Sequence, residues 1–134
     1  GPLRESLVSL TKELGLVDRV IFAGVYPTIA PLLTAADVFV LASRHEGWPL
    51  VLVEAMMSNL PIVTTDFEAA KEVFTHEKDA LVVPRENSDM LAEAMNRVRV
   101  EAGLRENLQS NSSTLRAQFT SDAHARAILA YINQ

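Results

Sequence analysis

Residues 38–58 constrain the possible fold more than any other part of the sequence. The apolar run at residues 38–42 has the length of a buried strand, and a polar, glycine-containing turn separates it from an apolar segment that starts at Pro49. We place Pro49 at the first position of a helix, because proline lacks the N–H group that the first helical turn leaves unpaired. The backbone N–H groups at this helix start point beyond the carboxyl end of the strand, which suits a phosphate group.

Two glutamates stand on either side of this helix start. Glu46 lies at the edge of the turn, and Glu54 lies about one turn inside the helix. One carboxylate can therefore reach one end of a bound diphosphate ligand while the other carboxylate reaches the opposite end. The residues alone thus predict a strand–turn–helix unit that binds a ligand containing a diphosphate.

The segment Ser-Arg-His-Glu-Gly-Trp-Pro-Leu at residues 43–50, with seven residues between Glu46 and Glu54, resembles the Glu-x7-Glu motif of retaining glycosyltransferases with the GT-B fold. The similarity is to the family 4-like group, also described as glycosyl transferases group 1, which includes sucrose synthase and bacterial mannosyl- and glucosyltransferases. Residues 22–24 and 36–43 resemble the same family pattern. The resemblance implies a C-terminal nucleotide-sugar-binding domain that is incomplete at its N-terminal side.

This resemblance implies a role for each residue of the unit. Glu46, the catalytic candidate, is expected to hydrogen-bond hydroxyl groups of the donor sugar, and Glu54 to accept hydrogen bonds from the ribose hydroxyls. The donor sugar and phosphates are expected to contact the backbone of Gly47, Trp48, Pro49, Leu50 and Val51. For Trp48, a position in the core at the turn is the alternative interpretation.

Further contacts with the nucleotide are implied less specifically. Arg44 and His45 are candidates for contact with a phosphate, although a solvated turn position suits Arg44 equally well. The loop Gly24, Val25 and Tyr26 is expected beside the nucleotide base, and an ordinary strand-to-helix turn explains it equally well. The resemblance implies no cofactor and no metal ion, only a nucleoside diphosphate sugar as substrate, and the sequence does not name its base.

Composition excludes several other classes of protein. The 134 residues carry a net charge of −5, which disfavours nucleic acid or an anionic membrane as the main partner. The chain has no cysteine, hence no disulfide or thiolate metal site, and no apolar run approaches the roughly 18–20 residues of a membrane span. We expect a cytoplasmic protein, with the inner membrane surface as a further location for the full-length enzyme.

Short apolar segments alternate with helical patterns along the whole chain. Strands are predicted at residues 20–24, 38–42, 61–66 and 80–84, and helices at 3–14, 28–36, 49–59, 87–98 and 123–131, with an irregular polar stretch at 107–114. This order predicts an α/β protein with a Rossmann-like parallel sheet and helices on both faces. Residues 1–134 are predicted to form one partial donor-binding domain.

The family resemblance also implies that parts of the enzyme are missing. The first two strands of the sheet, the phosphate-binding arginine and lysine, and the N-terminal acceptor domain would all precede residue 1. The fragment is therefore expected to be inactive alone. The strand at residues 20–24 would be separated from the other three, which predicts a rearranged sheet or a strand-swapped or edge-paired homodimer.

One departure from the family pattern leaves the function open. The family commonly has Asp-x-Gly-Gly-x-x-Glu after the third of these strands, whereas this chain has Asp-Phe-Glu-Ala-Ala-Lys-Glu at residues 66–72. A non-catalytic nucleotide-sugar-binding or interaction module of the same fold is therefore the main alternative to an enzyme fragment. A phosphoacceptor signalling domain is a third possibility, for which Asp66 is the lone candidate.

Overall fold

The computed structural model describes residues 1–120, 122 and 123. Helices and short parallel strands alternate along these residues, as the sequence predicts. In chain order the elements are α1 (Arg4–Glu13), α2 (Ala30–Ala35), β1 (Phe39–Leu41), α3 (Leu50–Met57), β2 (Ile62–Thr65), α4 (Glu68–Val73), β3 (Leu81–Val83), α5 (Ser88–Val100), α6 (Leu104–Arg116) and a 3₁₀ turn (Ala117–Phe119).

The strands of the described residues form a parallel sheet in the order β1-β2-β3. Val40 of β1 pairs with Val63 of β2, and Val63 pairs with Leu81 of β3. All four residues of the central strand β2 are buried. Because the strands are parallel and in register, the loops that follow them meet at one edge of the sheet, where ligands bind in folds of this class.

Successive residues of β2 face opposite sides of the sheet and divide the core in two. Ile62 packs in one cluster with apolar residues of α2, α3 and α4. Val63 packs in a second cluster with residues of α5 and the start of α6. The predicted sheet with helices on both faces is therefore confirmed.

The predicted strand at residues 20–24 is wrong. These residues have no regular secondary structure, and Ile21 and Val25 are 87% and 99% exposed. A β-branched segment becomes a strand only where a neighbouring strand offers backbone partners, and the described part of the chain places none beside it. Over the described residues the sheet therefore has three strands, and a rearranged sheet or a homodimer stays a prediction.

The irregular stretch predicted at residues 107–114 is also wrong, because α6 runs through it without interruption. Its buried residues Leu104, Leu108 and Ser112 recur every fourth position and form one face of the helix. The polar residues between them obscured this spacing. The predicted last helix at 123–131 lies almost entirely outside the described residues.

Helix boundaries follow the sequence closely elsewhere. Gly15 ends α1 with φ +66°, and Asn59 follows α3 with φ +59°, the left-handed conformation that glycine and asparagine tolerate best. Asn87 caps α5 by accepting the Met90 N–H at 3.0 Å. Pro49 stands one position earlier than predicted, because it is the residue before the first helical residue, with an extended ψ of 97°.

Candidate functional site

The loop after β1 carries Glu46 and lies at the carboxyl edge of the sheet. The Ser43 hydroxyl donates a hydrogen bond to Oε1 of Glu46 at 2.7 Å. The Ser43 carbonyl in turn accepts the Thr65 hydroxyl at 2.5 Å, from the last residue of β2. The position of the Glu46 carboxylate thus depends on a neighbouring strand as well as on its own loop.

The same loop is tied to the residues that follow β3. Arg85 donates through Nη1 to the carbonyl of Arg44 at 3.1 Å. The backbone N–H and Nε of Arg85 both donate to Oδ1 of Asp66, at 2.9 and 3.2 Å. The Arg85 N–H, followed by the charge of its guanidinium, holds the pKa of Asp66 below its usual range.

This arrangement bears on three of the predicted residues. Arg44 forms an exposed ion pair between its Nε and Oε1 of Glu86 at 3.0 Å, so its contact with a phosphate stays a prediction. His45 is exposed beside it. Because Asp66 is bonded to Arg85, the geometry disfavours Asp66 as a phosphoacceptor.

Residues 47–51 form the turn before α3 and the first positions of that helix. Gly47 and Leu50 are exposed, whereas Pro49 and Val51 are half-buried. Trp48 is 48% exposed, and the centroid of its ring lies 5.9 Å from that of the Phe119 ring, with the planes tilted by 35°. Trp48 therefore packs on one side against the 3₁₀ turn and faces solvent on the other.

One cavity joins two regions that are far apart in the sequence. Its volume is about 420 Å³, and Tyr26 from the predicted base loop and Glu54 from α3 both line it, with Leu33 and Met57 among the apolar residues of its wall. Ligand pockets in proteins commonly have volumes of roughly 300–1,000 Å³. Gly24 and Val25 are not in this wall, because they line a separate groove against α1.

The segment that departs from the family pattern adopts an ordinary helical start. Phe67 is buried, and α4 begins at Glu68, which forms a 2.9 Å ion pair with Lys71. Neither Glu68 nor Ala69, at the two glycine positions, has a positive φ. The side chains present here are therefore compatible with the backbone, and Glu68 places an exposed carboxylate where the family commonly has glycine.

Residues 1–114 match the family described as Glycosyl transferases group 1. The chain belongs to this family. It is 41% identical over 130 residues to the lipopolysaccharide core biosynthesis glycosyltransferase LpsD of Rhizobium meliloti, a match that covers 96% of this chain and 38% of LpsD. It is also 32% identical to the uncharacterized glycosyltransferase MJ1607 of Methanocaldococcus jannaschii, over 84% of this chain and 29% of that protein.

Two solved structures share the fold of this chain. The C-terminal domain of LpcC from Francisella tularensis is 25% identical, with a TM-score of 0.79 over 88% of this chain and 62% of that one. Anabaena Alr3699/HepE in complex with UDP and glucose is 25% identical, with a TM-score of 0.86 over 96% of this chain and 36% of HepE. The predicted GT-B C-terminal domain fold is confirmed, and the chain spans about a third of the length of the curated relatives it matches.

Two polar residues that fix the loop carrying Glu46, Thr65 and Arg85, were missing from the sequence-based predictions, which also gave Ser43 no ligand-related role. Both missed residues lie at the carboxyl ends of strands, a position that predicts proximity to the site in a parallel sheet. The described residues contain no cluster of three potential metal ligands and no helix with the length and apolar character of a membrane span.

Proposed function

We propose that the chain is the donor-binding part of a retaining glycosyltransferase, which moves a hexose from a nucleoside diphosphate sugar to an acceptor hydroxyl. The observation that carries this proposal is the cavity of about 420 Å³ that Tyr26 and Glu54 both line. Glu46 lies in the loop that precedes the same helix. The related HepE structures in complex with UDP, and with UDP and glucose, support this type of ligand.

The proposed contacts divide the ligand among three parts of the site. The Glu54 carboxylate accepts hydrogen bonds from the ribose hydroxyls, and Tyr26 lies on the side of the base. The backbone of residues 47–51 faces the diphosphate and the sugar. Glu46 accepts hydrogen bonds from hydroxyl groups of the hexose. The base, the hexose and the acceptor are not identified by these contacts.

The reaction depends mainly on stabilising the departing diphosphate. Negative charge develops on this group as the glycosidic bond breaks, and N–H groups at a helix start stabilise such charge where water is excluded. Because Glu46 binds peripheral hydroxyl groups in this proposal, it does not act as a covalent nucleophile. The acceptor oxygen attacks the anomeric carbon from the face that the diphosphate leaves, and its hydroxyl proton passes to an oxygen of the departing diphosphate, so the anomeric configuration is retained.

The proposed partners follow from the length of the relatives. An acceptor domain and the remainder of the donor domain supply the acceptor site and the cationic side chains for the phosphates, so the 134 residues alone are inactive. No metal ion takes part in the proposed reaction. The exposed edge of β1 pairs with a second copy or with further strands of the donor domain. The proposed location is the cytoplasm, with the inner membrane surface as a further location for the full-length enzyme.

A second candidate is a binding module of the same fold without turnover. One observation supports this candidate. Glu68 occupies the position where the family commonly has a glycine, which allows the backbone to approach the ligand closely. Such a module would bind the nucleotide sugar through the same Glu54 cavity. Nucleotide binding therefore tests the site that the two candidates share.

The first experiment titrates UDP and UDP-glucose into the chain and into Glu54→Ala, with binding measured by ligand-observed NMR. Loss of the hydrogen bonds to a charged carboxylate costs about 1.5–3 kcal/mol, so we expect the variant to bind both ligands at least about tenfold more weakly. Glu106→Ala, an exposed glutamate in the first turn of α6, is the matched control and should bind as the wild type does. Equal binding by Glu54→Ala and the wild type would contradict the assignment of this cavity.

A further inference from the structure

The loop that carries Glu46 is held by side chains from two neighbouring strand ends. The Thr65 side chain at the end of β2 is buried and donates to the carbonyl of Ser43 at 2.5 Å. Thr64 donates to the carbonyl of Leu41, the last residue of β1, at 3.2 Å. The backbone between the end of β1 and Ser43 is therefore fixed from the central strand.

Arg85 fixes the next residue of the loop from the other side. Its Nη1 donates to the carbonyl of Arg44 at 3.1 Å, while Oδ1 of Asp66 accepts two hydrogen bonds from Arg85. Consecutive carbonyl groups of the loop, at 43 and 44, thus accept hydrogen bonds from two different strand ends. These two hydrogen bonds hold the backbone on which the Ser43 side chain stands, so Thr65 and Arg85 help to determine the direction of that side chain.

The Ser43 hydroxyl in turn orients the exposed carboxylate of Glu46. This hydroxyl donates to Oε1 of Glu46 at 2.7 Å, the usual length of an O–H···O hydrogen bond. An exposed glutamate normally samples several rotamers and loses that freedom when it binds a ligand. Because Oε1 accepts the serine hydroxyl, the carboxylate is oriented before any ligand arrives and presents its other oxygen for binding.

We propose that Ser43 is a positioning residue that orients Glu46 for the donor sugar. This inference rests on the proposed function, in which Glu46 binds the hexose and Glu54 binds the nucleoside. It assigns Ser43 an effect on the sugar alone, because the Ser43 hydroxyl acts through Glu46 and not through the Glu54 cavity. A substitution of Ser43 should therefore weaken the binding of a nucleotide sugar and leave the binding of the free nucleotide unchanged.

The test compares Ser43→Ala, Ser43→Thr and the wild-type chain with UDP and UDP-glucose. Loss of one net hydrogen bond predicts that Ser43→Ala binds UDP-glucose about five- to tenfold more weakly and binds UDP unchanged. Ser43→Thr keeps a hydroxyl and should recover most of the affinity. Ser113→Ala, which removes an exposed serine hydroxyl from α6, is the control for the substitution itself. Equal weakening for UDP and UDP-glucose would overturn the proposal, since it would indicate general damage to the loop.

A second measurement needs no ligand. Three-bond NMR couplings across χ1 of Glu46 should indicate one rotamer in the wild type and averaged rotamers in Ser43→Ala, with the same melting temperature. Unchanged couplings in the variant would overturn the positioning role. If the wild type binds neither UDP nor UDP-glucose, a uridine donor is excluded, while these couplings still decide whether Ser43 orients Glu46.

Discussion

Asp79 is the ionisable side chain that the fold buries most completely among those with a shifted pKa in the described residues. It is 5% exposed, and its Oδ1 accepts the backbone N–H of Thr75 at 2.8 Å in the turn before β3. Burial raises the pKa of Asp79, and the Thr75 N–H opposes that rise. The turn thus gains a hydrogen bond and loses the hydration of a charge.

We expect Asp79→Asn to raise the free energy of unfolding at neutral pH. The folded-state pKa lies above the unfolded value of 3.8, so the contribution of this group to stability is complete below 3.8 and is lost as the pH rises through the folded pKa. Asparagine keeps an acceptor for the Thr75 N–H without the charge. Urea unfolding at neutral pH and below 3.8 measures this effect, and the two proteins should converge in acid.

The exposed Asp18→Asn provides the comparison for the loss of a negative charge elsewhere on the surface. It should shift stability little at either pH. If Asp79→Asn were less stable than the wild type at neutral pH, the hydrogen bond of the charged form would outweigh the cost of burial.

The residues of the site differ in how far the sequence alone could predict them. Glu46 and Glu54 belong to one strand–turn–helix unit, so local spacing and the family motif were enough to propose roles for them. Thr65 and Arg85 contact this unit only because Leu41 of β1 lies beside Thr64 of β2, and Thr65 lies beside Val83 of β3. That register depends on the packing of the whole sheet, and no local pattern contains it.

Among the elements, those with local end signals were predicted best. Gly15, Asn59 and Asn87, residue types that favour helix ends, stand at ends of α1, α3 and α5. The strand predicted at residues 20–24 does not form, because its apolar residues favour a strand only when a neighbouring strand is present. Residues 107–114 were missed since a mostly polar helix needs just one buried face, which α6 forms with a buried residue every fourth position.

The end of α3 offers a test of this local control. Asn59 has φ +59°, its N–H donates to the carbonyl of Met56 at 3.0 Å, and its carbonyl accepts Nε2 of Gln109 at 2.6 Å. Alanine disfavours this conformation, so we expect Asn59→Ala to lower the free energy of unfolding by about 1 kcal/mol, whereas Asn59→Gly should match or exceed the wild type. Chemical denaturation of both variants measures the difference.

Asn107→Ala supplies the matched control, because residue 107 is exposed within α6 and alanine favours a helix more than asparagine does. This variant should be as stable as the wild type or more stable. Equal losses for Asn59→Ala and Asn59→Gly would show that the asparagine side chain, rather than the backbone conformation, matters at this position.

At the scale of the whole molecule, stability is concentrated in the sheet and the helices packed on it. Leu33 is the first buried residue in the chain. Helix α1 has no buried residue, and Leu3, Leu7 and Leu10 of its apolar side are 47–66% exposed. The helical pattern of α1 was predicted correctly, yet an amphipathic pattern indicates only a face that favours burial and not the surface that covers it.

Removal of residues 1–25 should therefore change the free energy of unfolding of the remaining chain very little. A ten-residue helix without buried contacts is marginal on its own, and burial of apolar area is the main source of stability. Leu108→Ala removes a fully buried side chain from the α6 face of the core and should cost about 2–5 kcal/mol. Urea unfolding followed by tryptophan fluorescence compares the two, because Trp48 is retained in both. A loss on truncation as large as that of Leu108→Ala would show that α1 and the segment after it contribute to the cooperative core. An unchanged midpoint with a slightly smaller m-value would show that they add surface without adding stability.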